Sequence, residues 1–525
     1  MPKVLISDSL STQAVETFKR LGVEPTVVSK LTVEELEDMI VDFDGLAVRS
    51  ATKVTPSLLA KAKKLKVVGR AGIGIDNIDL DASTSAGVLV MNTPFGNAMT
   101  TAEHAIAMMF ALARHIPQAS ASTHAGKWEK SKFLGTELNG KTLGLIGAGN
   151  IGSIVAKKAL GLGLKVSAYD PFLTAERAKE LHIKKVELDD LLSSADIITL
   201  HVPKTPDTSN IINATAINKM KKGAMIINCA RGGLVDEVAL KAALDSGYLA
   251  GAALDVFEVE PAKDNPLFGM EQVICTPHLG ASTTEAQEKV AIQIAEQMSD
   301  FLIEGAITNA LNAPSLSAAE AAQLGPHLRL AENLGEFAGQ LTNDEIKEIE
   351  ISFEGEAREL NTDPLQQTIL AALLRRQLTA VNRVNALAMA ADRGIKVSVT
   401  KTVGSKDYSS QIGVRVVTTA KDRHVKGTLF GDHPRLTDVK GIKLESEFSN
   451  HMLYIANEDV PGVVGAMGNA LAANQINIAQ FHLGRQDQGG DAVALVSIDA
   501  APSAAAIAAI ESLPQIRHAT YLQFV

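Results

Sequence analysis

Three side chains of complementary chemistry end three apolar runs in the middle of the chain. Arg231 follows GAMIINCA, Glu260 follows GAALDVFEV and His278 follows VICTP. An imidazole is the side chain best suited to take a proton near neutral pH. A carboxylate bonded to its other nitrogen would fix the tautomer and favour the imidazolium that forms, a part that falls to Glu260. Arg231 can hold a carboxylate with two parallel bonds and polarise a developing carbonyl. Together they suit removal of a proton and a hydride from a 2-hydroxy acid.

A hydride needs an acceptor, and KTLGLIGAGNIGSIVAKKALGLGLKVSAYD (Lys141 to Asp170) provides for one. Leu143, Leu145 and Ile146 lead into Gly147, Ala148, Gly149, Asn150, Ile151 and Gly152, then an amphipathic run, then a second β-rich run closed by Asp170. The pattern is one βαβ unit. Gly147 serves the tight turn, Gly149 the close approach of a pyrophosphate, and Gly152 helix packing on the sheet. The helix N-terminus turns free N–H groups and a positive dipole end to the phosphates. Asp170 accepts hydrogen bonds from the ribose hydroxyls and repels a 2′-phosphate, so the expected cofactor is NAD rather than NADP.

The elements around these residues must bring them together. ADIITLHVP, GAMIINCARGG, GAALDVFEVEP and VICTPHLGAST read as successive strands of a parallel sheet. They carry Pro203, Arg231, Asp255 with Glu260, and His278 to the edge where the pyrophosphate binds. The first 97 residues also alternate β-rich runs and helical patterns, as in a parallel sheet covered by helices. RAGIGIDN (Arg70 to Asn77) has no third glycine in register and reads as a substrate loop beside Arg70. Thr100 to Ile116 is apolar on most of its surface, a buried helix crossing between domains, with His104 as a hydrogen-bonded core histidine. Ser282 to Glu304 is an amphipathic helix returning to the first domain, and Leu311 to Ala322 reads as a linker or the start of a domain. Residues 316 to 447 mix a helical stretch (Leu365 to Ala390) with β-rich runs and carry no chemical motif. The last stretch follows the order βαββαβ, a ferredoxin-like module whose sheet edge pairs with a copy of itself. Pro461 is expected as the first residue of its first helix.

A chain of 525 residues exceeds one core and suggests about three or four domains. Its net charge of −10 argues against non-specific nucleic-acid binding and requires a local basic pocket for any anionic substrate. Two cysteines, Cys229 and Cys275, make no disulfide framework and fit a reducing cytosol. No signal segment opens the sequence, and the longest apolar run, Ala105 to Ala113, is too short to span a bilayer. The expectation is a cytoplasmic enzyme without membrane or nucleic-acid partners.

ARGGLVDE (Ala230 to Glu237), DVFEVEP (Asp255 to Pro261) and TPHLGAST (Thr276 to Thr283) resemble the signature segments of the D-2-hydroxyacid dehydrogenases. VRSATKVT (Val48 to Thr55), VGRAGIGIDNID (Val68 to Asp79) and NTPFGN (Asn92 to Asn97) resemble its branch acting on 3-phosphoglycerate, in the long form with an intervening domain and a C-terminal ACT domain. The expected fold is α/β: a Rossmann-like NAD domain (98–284) inserted in a flavodoxin-like substrate domain (1–97, completed by 285–312). An α+β intervening domain (316–447) and a ferredoxin-like ACT domain (449–525) follow.

The resemblance implies NAD-dependent oxidation of 3-phospho-D-glycerate to 3-phosphooxypyruvate, the entry step to serine. It carries the catalytic roles onto Arg231, Glu260 and His278. Cofactor contacts fall on Asn150, Ile151, Asp170, Val202, Cys229, Ala230, Arg231, Asp255, His278, Leu279, Gly280 and Ala281. Substrate contacts fall on Arg49, Ser50, Arg70, Gly72, Ile73 and Gly74, with Asn97 nearby. Ile73 stands where some relatives have a threonine, and Lys130 where some have arginine. A substrate bearing a carboxylate and a phosphate of about −1.5 to −2 calls for many cations; Arg49, Arg70, Lys130 and Lys132 are the candidates. In the last module Asp459 and Asn477 could clasp the ammonium and carboxylate of a small amino acid between paired copies, or Asp459 could merely cap a helix. Resemblance to serine-regulated relatives adds Asn457 and names L-serine as the effector of a homo-oligomer, a tetramer. Two other readings stand beside this one: a dehydrogenase for another 2-hydroxy acid such as 2-hydroxyglutarate, and an NAD-sensing binding protein on the same fold.

Overall fold

Four of the first five strands are short runs of mainly buried residues, which only a sheet covered on both faces can satisfy, and the edge strand Glu24–Val27 is more open. The computed structural model describes residues 1–94, 96–404 and 407–524; Phe95 of the Asn92 to Asn97 segment and Val525 of the final expected strand lie outside these. Strands Glu24–Val27, Lys3–Ile6, Gly45–Val48, Val67–Arg70 and Leu89–Met91 lie in that order, all parallel. This is the flavodoxin-like order, reversing between Lys3–Ile6 and Gly45–Val48, where such sheets bind ligands. Val4, Ile6, Ala47 and Val67 face helices Thr12–Arg20 and Thr284–Glu304, while Leu5, Leu46, Val48 and Val68 face Val33–Met39 and Pro56–Lys61. The long returning helix packs so closely that a Cβ on Gly69 would overlap Met298.

The second sheet runs Val273–Cys275, Gly251–Leu254, Met225–Asn228, Ile197–Leu200, Thr142–Ile146, Lys165–Tyr169 and Lys184–Lys185, all parallel. Its order reverses between Thr142–Ile146 and Ile197–Leu200, as in a Rossmann fold. Leu143, Leu145, Ile197 and Ile227 alternate to one face with helix Ala98–Ala113; Ile146, Ile198 and Ile226 face the other. That crossing helix stops before the expected Ile116. His115 takes a left-handed φ of 52° and turns the chain into a second helix, Ile116–His124.

In the C-terminal half a sheet of Lys396–Thr402, Ile346–Gly355, Ser410–Thr418, Asp422–Phe430, His433–Val439 and Ile442–Glu447 packs under helices Ala318–Gln340 and Thr362–Leu374. The stretch expected as a linker or domain start holds the start of helix Ala318–Gln340, where Ser317 and Glu320 form a reciprocal capping box. The expected helix 365–390 breaks into Thr362–Leu374 and Ala386–Asp392, with Ala380 at a φ of 63° between them. The last sheet runs Ile478–Arg485, Asp491–Ile498, His451–Glu458, Ile516–Gln523, the ferredoxin-like arrangement. Leu453, Ile455, Ala494 and Val496 face its own two helices, whereas Met452, Tyr454, Val493 and Leu495 join the core of the preceding sheet. Its first helix starts at Val463, not Pro461, because Pro461 and Gly462 form a turn with Gly462 at a φ of 93°. Among the described residues no helix is long and apolar enough to cross a membrane.

Candidate active site

Two adjacent parallel strands bring His278 and Glu260 together. Gly251–Leu254 leads into Asp255 and the loop holding Glu260; Val273–Cys275 leads into His278. His278 Nδ1 lies 2.7 Å from Glu260 Oε2, while Glu260 Oε1 accepts the Phe257 N–H at 3.0 Å. The Glu260 bond holds His278 above the usual histidine range, burial pulling the other way. Burial alone would raise Glu260, yet the bonds from His278 and Phe257 N–H leave it below the usual carboxylate range. The ring is half-exposed, and with Nδ1 engaged by Glu260 it has Nε2 left to give or take a proton.

The loop under the imidazole hangs from one residue. Asp255 is fully buried, and its carbonyl oxygen accepts the His278 N–H at 2.9 Å. Its carboxylate accepts Leu279 N–H at 2.7 Å, Gly280 N–H at 2.8 Å and Thr276 Oγ1–H at 2.6 Å. The carboxylate expected to contact cofactor is therefore engaged beneath the loop. Those bonds hold His278 at a φ of 54°, a conformation costly for a residue with a Cβ.

Across the cleft, the first sheet presents a cationic cluster. Arg231 reaches it: Nη1 bonds the Ala230 carbonyl at 2.7 Å, Nε lies 3.4 Å from Asp76, and the guanidinium fills the space a Cβ on Gly74 would need. Arg70 is largely buried and donates to Asn77 Oδ1 at 3.0 Å. Burial first, and then the positive fields of Arg231 and Arg49, lower it to about 10, so it stays charged at neutral pH. Asn77 also donates to the carbonyls of Arg49 and Thr52, locking the two loops together. Asp8 takes the Arg49 N–H at 2.6 Å, while Arg49 Nη1 reaches the Ser9 carbonyl. Ser50 is exposed beside it. Gly72 donates to Thr93 Oγ1 and Ile73 accepts from Asn92 Nδ2, so the loop expected to hold substrate is pinned to the strand's end. Asn97 is buried with Oδ1 unpartnered among the described residues. Lys130 is exposed, and Lys132 pairs with Glu271 on the surface, so the local positive field comes from the arginines.

The glycine loop has the shape a dinucleotide requires. Gly147 has a φ of 95°, and a Cβ there would meet the His201 carbonyl at 2.6 Å; a Cβ on Gly152 would strike the Gly147 carbonyl. Gly149 is exposed with open space above it. It begins helix Asn150–Gly161 without a side-chain cap, leaving the first N–H groups, through Asn150 and Ile151, to a ligand. Asp170 takes Ala148 N–H through one oxygen and Phe172 N–H through the other, each at 2.8 Å, keeping a lone pair on each for a ribose. Val202 backs Gly147. Cys229 is buried, which pushes its thiol up and keeps it neutral, and Ala230 is half-buried. Leu279 and Ala281 flank buried Gly280.

Sequence reasoning passed over several residues here. Asn228 bonds Ala230 N–H and the Arg231 carbonyl, shaping the loop that aims Arg231. Asp8, Asp76 and Asn77 organise the arginines. The available signal was position: each follows or adjoins the C-terminal end of a strand. His201 is lowered to about 4 by burial and stays neutral behind Gly147.

In the last module Asp459 does not cap the helix. Its carboxylate accepts Arg485 Nη1 at 3.0 Å and Gly489 N–H at 3.2 Å. Asn477 donates to Asp499 at 2.8 Å. Asn457 is buried and donates to the Glu458 carbonyl, and its Oδ1 has no partner among the described residues.

Comparison with known proteins adds three family matches: the NAD-binding domain of D-isomer specific 2-hydroxyacid dehydrogenases over residues 106–280, the D-3-phosphoglycerate dehydrogenase intervening domain over 323–440, and the ACT domain over 451–515. A Synechocystis protein named D-3-phosphoglycerate dehydrogenase is 43% identical over 502 residues, covering 95% of this chain and 90% of its own. One of the same name from Archaeoglobus fulgidus is 39% identical over 525 residues, covering 99% of this chain and 100% of its own. Among solved structures, D-lactate dehydrogenase from Aquifex aeolicus complexed with NAD and lactic acid matches with a TM-score of 0.53 and 31% identity, covering 60% of this chain and 100% of that one.

Proposed function

Because the chain belongs to the D-3-phosphoglycerate dehydrogenases of the D-2-hydroxyacid dehydrogenase family, NAD-dependent oxidoreductases, we propose that it oxidises 3-phospho-D-glycerate to 3-phosphooxypyruvate, opening serine synthesis, through His278, Glu260 and Arg231. The observation that carries this reading is the 2.7 Å His278–Glu260 pair facing an arginine cluster across the cleft.

NAD, the cofactor of these enzymes, supplies the hydride acceptor when bound. Gly147, Gly149, Asn150, Ile151 and Gly152 would hold its pyrophosphate and Asp170 its ribose, as the uncapped helix start and the lone pairs of Asp170 support. His278 Nε2 takes the hydroxyl proton of the substrate as the C–H bond breaks. The new imidazolium keeps its Nδ1 proton directed at Glu260, a charge-assisted bond in a partly desolvated site. Arg231 exchanges its contact with Asp76 for the substrate carboxylate and polarises the forming carbonyl. Arg70 and Arg49 take the remaining negative charge. Three clustered arginines against Asp8 and Asp76 leave a positive excess that would attract a substrate carrying both a carboxylate and a phosphate. We place an effector site for L-serine at Asp459 and Asn477, in an oligomer paired through the last module.

Steady-state assays of NAD reduction test the reading with 3-phosphoglycerate beside lactate and 2-hydroxyglutarate. The phosphorylated acid should have the highest kcat/KM, and His278→Ala should lower kcat by about 100-fold or more. Near-normal turnover in that variant, or preference for an unphosphorylated acid, would overturn it.

A further inference from the structure

Asp255 holds three consecutive backbone N–H groups of the 278–280 loop, and the helix Ala98–Ala113 in turn contacts Asp255. One face of that helix, at spacings of three and four, carries Thr101, His104 and Met108. His104 Nε2 lies 3.2 Å from Asp255 Oδ1 and 3.3 Å from Thr276 Oγ1. Thr276 Oγ1 lies 3.9 Å from Met108 Sδ, and a Cβ on Gly280 would meet the Thr101 side chain at 3.5 Å. Because an ionised carboxylate only accepts, the His104 proton resides on Nε2. Burial alone would push Asp255 up, but the bonds from His104, Thr276 and Leu279 N–H bring it below the usual range, so it is charged.

We propose that His104 is a positioning residue for the reaction: its Nε2–H fixes the buried Asp255 carboxylate that suspends the loop bearing His278, tying the catalytic histidine to the helix that crosses between the two sheets. A buried carboxylate that loses a donor seeks another partner. The groups nearest to yield are Leu279 and Gly280, which set the direction of His278. Since His278 is held in a left-handed conformation, a small relaxation there swings the ring away from the substrate. Misplacement of a reacting group by about 1 Å costs up to roughly 100-fold in rate. The arginines and the glycine loop lie on other elements, so substrate binding and the pyrophosphate contacts should be spared.

This inference rests on His278 being the acid–base residue, which His278→Ala tests separately. His104→Leu removes the donor, His104→Gln keeps an N–H at similar reach, and His104→Asn keeps one too short to reach. The experiment measures kcat and both KM values for 3-phosphoglycerate oxidation by the full-length protein, with melting temperature as a control. His104→Leu and His104→Asn should lower kcat about 10-fold or more with KM for 3-phosphoglycerate within about twofold, and His104→Gln should recover most of the loss. Should His104→Leu fail to fold, the Asn and Gln pair makes the same comparison. Unchanged kcat in the Asn variant, or equal kcat in the Asn and Gln variants at equal stability, would overturn the proposal.

Discussion

Glu260 raises the proton affinity of His278, and the sign of that effect is measurable. Oxidation needs the neutral imidazole, so kcat/KM should rise with pH through a value above the ordinary histidine pKa of about 6.5. Glu260→Gln removes the first cause of the raised value, so the limb should move to lower pH while the maximal rate falls. A limb that stays, or moves up, would separate Glu260 from His278. Asp170 and Arg49 make matching cases of charge selection. Asp170→Ala should raise KM for NAD and narrow the preference over NADP; an unchanged ratio would put selectivity elsewhere. Arg49→Ala should damage 3-phosphoglycerate turnover more than that of an unphosphorylated 2-hydroxy acid, and equal losses would remove it from the phosphate end.

The elements of the glycine turn separate two uses of the same residue. Gly147 is glycine for the fold: its φ of 95° and the nearby His201 carbonyl exclude a side chain. Gly149 is glycine for the ligand, since a Cβ there would meet nothing within 4 Å. Gly147→Ala should therefore destabilise the protein by about 1–3 kcal/mol and weaken NAD binding, whereas Gly149→Ala should leave the melting curve in place and raise only KM for NAD. Equal melting losses in both would contradict this division. These turns were legible because their chemistry is local, written in glycine spacing and the strand on either side. So were the strand ends holding Arg231, Glu260 and His278. The spread of Arg231 over Gly74 was not legible, nor the suspension of Leu279 and Gly280 from Asp255. Each joins residues far apart in sequence, which only the two packed sheets bring together. In the C-terminal half the edge strand Lys396–Thr402 carried only a short alternation, Val397 and Val399 between Lys396, Ser398 and Thr400, and was passed over, and Gly462 overrode the helix-start preference of Pro461.

For the whole molecule the open matter is how the last module, distinct in sequence from the catalytic sheets, would act on them. Its sheet is buried on both sides, by its own helices and by the intervening core, so a change at its rim has a packed route inward. At that rim the proposed effector residues are already satisfied within the chain: Asp459 by Arg485 and Gly489, Asn477 by Asp499. Both contacts fall on Asp459 Oδ2, so a serine ammonium at this carboxylate would share it with the Arg485 guanidinium and meet its positive charge. That ion pair is solvent-exposed on the arginine side, so it competes only weakly. Arg485→Ala should lower the serine concentration for half-inhibition by a few-fold, about the scale of an exposed pair. Asp459→Ala and Asn477→Ala should relieve inhibition, with KM for 3-phosphoglycerate unchanged in all three. Calorimetry on the intact protein gives the separate check. Absence of serine binding would end the effector reading, whereas binding that Arg485→Ala fails to tighten would show that Arg485 does not compete for Asp459.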